Sequence, residues 1–231
     1  MRHRDLDRTE AALARERLYF LLGAAWRPPE QCLFRVMPAL LRSLRSGAQT
    51  LGWAPLARAV RGLEAWAGRV AGDVSVEALA FLEYQRLFAG RRPLVPLREE
   101  CYGSRAADAA ELAEVRRAFP EGCPLARLDA DEPEPTSLSA ELNLMGRLCV
   151  VEWQAGCRGD ARWALAASAR EHAYLEGHLA RWIPKAQARI EGATRNPLYV
   201  GLGRLVAGLV AQDLDYLGEL RRSAERRSVQ T

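Results

Sequence analysis

Apolar positions recur at helical spacing along most of this chain, and no alternating β-branched run is long enough to build a sheet. The pattern predicts a helix over Arg8–Ala25, with Leu13, Leu18, Phe20, Leu21 and Leu22 apolar. A second follows Pro28 and Pro29 and runs through Arg45, and a third covers Pro55–Val70. A fourth opens at Asp73 or Ser75, both good N-cap residues, and stops at Gly90. Its stretch VEALAFLEYQRLFAG is apolar nearly all round, through Val76, Leu79, Phe81, Leu82, Tyr84, Leu87 and Phe88. Such a helix is expected at the centre of a bundle. Glu83 and Arg86 are neighbours on its surface, and burial there would require them to pair with each other or with a loop.

Residues 90–104, GRRPLVPLREECYGS, read as a loop, and a short helix is expected over Ala106–Phe119. The stretch DADEPEPTSLSAELNLM at 129–145 then interrupts the helical pattern with two prolines and a cluster of acids. A helix from Leu138 to about Ala155 follows, capped by Ser137 or Thr136, with Glu141 placed for a capping box. Helices over about Ala161–Trp182 and Leu198–Arg222 complete the chain, which carries no internal repeat. The expected fold is all-α, a single globular bundle of about eight helices with a long acidic hinge loop near 119–136. That hinge would join an N-terminal segment, residues 1–118, to a C-terminal one, residues 137–222. Loops of such length inside compact domains are commonly functional.

Composition supports a packed core, with 49% hydrophobic residues over 231 positions. Charged residues interrupt every apolar run short of a membrane span, and MRHRDLDRTE has no secretory apolar core. A cytoplasmic protein without stable membrane insertion is therefore expected. The five cysteines, Cys32, Cys101, Cys123, Cys149 and Cys157, form no CxxC pair and read as reduced thiols rather than metal ligands. Residues 1–70 hold 12 Arg against six acids, a net +6, whereas 108–141 hold nine acids against three Arg, a net −6. A basic chain with an acidic middle fits a basic and apolar partner better than nucleic acid, for which one continuous positive face is expected.

The residue patterns for catalysis are missing. There is no GxxxxGK[ST], GxSxG or HExxH motif, and His172 and His178 stand six apart, off the spacing of a helical zinc pair. The glycines of GLGRLVAG at 201–208 read as helix-packing glycines. Trp53 and Trp66 suit a groove or the core equally, and Tyr84, Phe88 and Trp182 serve a core at least as readily as a cleft.

Five stretches, in order over about residues 80–215, together resemble the TorD/DmsD family of redox-enzyme maturation chaperones, to which NarJ-type chaperones are related. They are EYQRLFAG, VPLREECYG, EPTSLSAELNLM, HLARWIPK and NPLYVGLGRLVAGLVAQD. Where the family's hinge reads Glu-Pro-Asp-His, this chain has Glu134, Pro135, Thr136 and Ser137, a departure suggesting a divergent subgroup. The resemblance implies a non-enzymatic cytoplasmic chaperone, with no cofactor of its own. Its partner would be the catalytic subunit, or the N-terminal leader, of a molybdenum-cofactor oxidoreductase, held back until cofactor insertion is complete. A twin-arginine leader needs carboxylates and an apolar groove. The client site is thus expected at Glu132, Glu134, Pro135, Thr136 and Ser137, with Tyr84, Arg86, Phe88 and Tyr102 beside it. No catalytic or metal-binding residue is assigned, and the oligomeric expectation is a monomer or a helix-swapped dimer. The alternative is an all-α regulatory or ligand-binding protein that acts through a partner subunit.

Overall fold

The structure, a computed structural model, describes residues 7–27, 31–103 and 137–228. The described residues form an all-α bundle without strands. In order they make α1 (Arg8–Ala25), α2 (Gln31–Thr50), α3 (Ala54–Val70), α4 (Val74–Phe88), a 3-10 turn (Glu99–Tyr102) and α5 (Leu138–Cys157). Then come α6 (Ala161–Tyr174), a π-turn (Leu175–Leu179), α7 (Ala180–Ala193) and α8 (Pro197–Ser228). No helix among these residues is long and apolar enough to cross a membrane. The predicted helix over Ala106–Phe119 and the hinge over 119–136 lie outside the described residues.

The centre of the bundle is α5, buried along nearly its whole length from Leu138 to Glu152. It packs most intimately on α1, where small residues let the backbones approach. A Cβ on Gly146 would stand 3.1 Å from the Phe20 ring, and one on Gly23 2.7 Å from Asn143 Oδ1. Leu18, Tyr19 and Leu22 from α1 meet Leu142, Met145 and Leu148 from α5 in one core. That core continues through Leu41 and Leu44 of α2, Val60 and Leu63 of α3, Trp182 of α7, and Leu202, Leu205 and Leu209 of α8. The packing glycines are confirmed at Gly201, whose Cβ would meet Leu63, and at Gly203, against Gln187 and Ile190. Trp53 is buried edge-on to Tyr216, and Trp66 packs half-buried on the core.

Three expectations are corrected. The apolar helix α4 is peripheral: Leu79 and Leu82 are each 62% exposed and Phe81 43%, while Ala80, Tyr84 and Leu87 supply its buried face. Hydrophobic composition set no burial here, because the neighbouring helices cover only one side. Helical structure also runs past Trp182 to Ala193, with Pro184 inside α7; the π-turn ahead of it inserts an extra residue into the repeat. Finally, Glu141 makes no capping box. Ser137 caps α5 by accepting from the Ala140 amide at 3.3 Å, which puts Glu141 one position too late. Its carboxylate turns inward and accepts from Trp182 Nε1 at 3.1 Å.

Candidate functional site

Short-range signals build the region around the ends of α1 and α4. Asp73 caps α4 by accepting from the amides of Ser75 (2.9 Å) and Val76 (3.4 Å), which fixes its start. After Phe88, Gly90 at φ +92° takes a conformation open to glycine and turns the chain out into the Pro-punctuated loop. The loop returns when the Val95 amide donates to Leu87 O (2.9 Å), and it meets the start of α5 when the Leu138 amide donates to Leu97 O (2.9 Å). An isolated antiparallel bridge joins Arg98 to Ser137 at the same place. Ser139 Oγ donates to Gly23 O at 2.9 Å, which ties the start of α5 to the end of α1.

These ties leave an open groove of about 900 Å³ between the end of α1, the end of α4 and the loop. Its floor is aromatic. Phe88 stands edge-on to Trp26 at 5.5 Å between ring centres, leans on Tyr84 at 5.3 Å and meets Tyr199 edge-on at 5.3 Å. The Tyr199 hydroxyl donates to Ala80 O at 2.7 Å and anchors α4 to α8. The rim is cationic: Arg27, Arg91, Arg92 and Arg98 line it, with Glu100 the one carboxylate among the described lining residues. Arg27 is placed there by the end of α1, where its amide donates to Ala24 O.

Of the residues expected at a client site, Tyr84, Phe88 and Ser137 line this groove together. Arg86 does not. It forms a bidentate pair with Glu83 (2.8 and 2.7 Å) and donates to Ala193 O at 2.8 Å, while Glu83 also accepts from Thr194 Oγ1. The expected pairing is present, but the pair is exposed rather than buried, and it fastens α4 to the end of α7. Glu132, Glu134, Pro135 and Thr136 lie outside the described residues. Tyr102 faces the body of the protein instead of the groove. Its ring stacks on Trp182 at 5.5 Å, Arg189 lies over the ring at 4.9 Å, and its hydroxyl donates to Pro96 O at 2.8 Å.

Behind the loop lies a polar cluster, its carboxyl groups buried, that links the loop to α5 and α7. His178 Nδ1 stands 3.1 Å from a carboxylate oxygen of the fully buried Glu99. Lys185 Nζ donates to Tyr102 O at 3.0 Å. Burial first, and then the neighbouring Glu99 carboxylate, push the Glu141 carboxyl well above its ordinary range against the pull of the Trp182 hydrogen bond. This cluster has the composition of a structural clamp: it holds the 3-10 turn, and with it one wall of the groove, against α5 and α7.

The residues that sequence reasoning missed are the basic rim and Trp26. The doublet Arg91-Arg92 in a Gly/Pro-rich loop was the available signal, since exposed arginines in such loops have no helix neighbours to pair with. Compared with protein-family models, curated proteins and solved structures, the chain matches none of them.

Proposed function

We propose that this protein is a maturation chaperone that binds the leader or the unfinished catalytic subunit of a molybdenum-cofactor oxidoreductase, without catalysis of its own, in the cytoplasm. The observation that carries the proposal is spatial convergence. Three stretches that resemble the chaperone family meet at the groove: the neighbouring EYQRLFAG and VPLREECYG supply its floor and wall, and Ser137–Leu138, from the C-terminal half of the chain, its edge. HLARWIPK supplies the His178 and Trp182 contacts behind it. An open trough with an aromatic floor suits an apolar chain segment, whose side chains gain by leaving water.

A second reading, a regulatory protein acting through a partner subunit, is favoured by the exposed apolar face of α4 at Val74, Leu79 and Leu82. The test is binding of the purified protein to the apo and the cofactor-loaded catalytic subunits of the molybdenum enzymes of its host. Capture of one apo subunit, or of its leader, with release on cofactor loading supports the chaperone. Failure to bind any leader or apo subunit rejects it in favour of the regulatory protein.

A further inference from the structure

We infer that the groove takes an apolar polypeptide segment flanked by carboxylates, and not the arginine pair of an export leader; this rests on the groove being the client-binding site. The sign of the described part of the rim favours it. Four arginines against one glutamate give the described lining residues a net charge of +3. Arg27, Arg91 and Arg92 are exposed and make no ion pair among the described residues. Each offers a planar fork of donors suited to a carboxylate, already in water and without a partner to give up. A second pair of arginines brought to the same rim would meet like charge, which costs affinity and slows encounter.

The shape and the floor select among anions. The described groove is open to solvent, as a chain segment requires, whereas small-ligand sites enclose most of their occupant. Single-stranded nucleic acid is bound through aromatic faces on which bases stack. Here Trp26 is 3% exposed and Tyr84 8%, so neither ring offers a free face on which a base could stack.

The experiment is fluorescence anisotropy on the full chain with three labelled probes: a Leu/Phe-rich peptide flanked by Asp and Glu, the same core flanked by Arg, and a single-stranded RNA oligonucleotide. The acidic peptide is expected to bind about tenfold or more tightly than its basic counterpart, and to weaken with rising salt. The double variant R91E/R92E is expected to lose about tenfold for the acidic peptide, with R91Q/R92Q between it and the wild type; both positions are exposed, so the fold is retained. Equal or tighter binding of the basic peptide overturns the charge assignment and leaves the groove as a client site. Acidic-peptide binding indifferent to R91E/R92E also overturns it. RNA bound as tightly as the acidic peptide overturns it in favour of a general polyanion surface. Binding of none of the probes rejects both the inference and the client groove.

Discussion

Arg15 is fully buried in α1 and held from three sides. Its guanidinium donates to Asp213 at 2.6 Å, to Glu152 at 2.8 Å and to Glu171, and Tyr216 lies beneath it with 5.4 Å to the ring centre. Arg8 adds a second cation at Glu152 (2.6 Å), and the Tyr19 hydroxyl donates to Asp213 at 2.6 Å. One side chain therefore pins α1 to α5, α6 and α8. Burial opposes its charge, and the surrounding carboxylates more than offset that, so its pKa is raised. Arg15→Met leaves Asp213, Glu152 and Glu171 buried around a site with no central cation and is expected to cost about 3–5 kcal/mol, read from urea unfolding. Arg15→Lys should recover little, because a point-like ammonium cannot reach all three acceptors. Burial, against the pull of Arg15, raises Glu171 from 4.5 to about 8. The folded state thus keeps a proton that the unfolded chain releases near 4.5. Its contribution is complete below that pH, declines as pH rises, and is gone once pH passes about 8. Glu171→Gln, neutral throughout, should flatten that decline in a pH series of unfolding midpoints; an unchanged slope would place the titration elsewhere. No sequence reading finds this network, since the partners of Arg15 lie 137, 156 and 198 residues away. Locally, Arg15 is one more charge on an amphipathic helix.

At the scale of the element, α4 and α5 exchange the roles that their compositions suggest. The fifth helix carries Glu141, Asn143, Arg147 and Glu152, all buried, and so looks half-solvated in sequence. Its polar groups are tolerated because remote partners, among them Trp182 for Glu141 and Arg15 for Glu152, satisfy them inside the core. The fourth helix is richer in large apolar residues, yet only one face finds neighbours. Local information was enough where a short-range contact decided the structure: the Asp73 and Ser137 caps, the turn at Gly90, the Glu83–Arg86 pair and the boundaries of the third helix were all legible. What covers a helix is a long-range fact, and periodicity is blind to it. The two faces of α4 should respond differently to substitution. Leu87, fully buried, is expected to cost about 2–5 kcal/mol as Leu87→Ala. Leu79→Ser and Leu82→Ser should each change stability by less than about 0.5 kcal/mol in urea unfolding, and should lower self-association at high concentration. A cost for Leu79→Ser near that of Leu87→Ala would mean that the outer face is covered.

At the scale of the whole molecule, the groove is a joint product of the two halves of the chain, and its loop wall is held from the far side. The loop and 3-10 turn bring only Val95, Glu99 and Tyr102 into the interior, and each of the last two is gripped by the C-terminal half. His178 faces Glu99; Trp182 and Arg189 enclose the Tyr102 ring; Lys185 holds the Tyr102 carbonyl. Glu100 and Cys101, which line the groove, ride on these anchors. Opening of such a segment is expected to require less free energy than global unfolding, because few buried contacts are lost. Tyr102 thus acts as a positioning residue for the wall. In Tyr102→Ala, amide exchange over residues 98–103 should accelerate, while the slowest amides of α5, which report global unfolding, shift far less. Tyr102→Phe keeps the stacking on Trp182 and loses only the hydrogen bond to Pro96 O, a loss of about 1 kcal/mol. It should therefore retain most of the protection. Peptide affinity should follow the local exchange rate across the two variants and not their unfolding midpoints. If the wall amides in Tyr102→Ala stay as protected as in the wild type, the grip of α7 on Tyr102 does not set the groove. If wall and α5 amides accelerate together, the wall opens only when the whole bundle does, and the groove is as rigid as the core behind it.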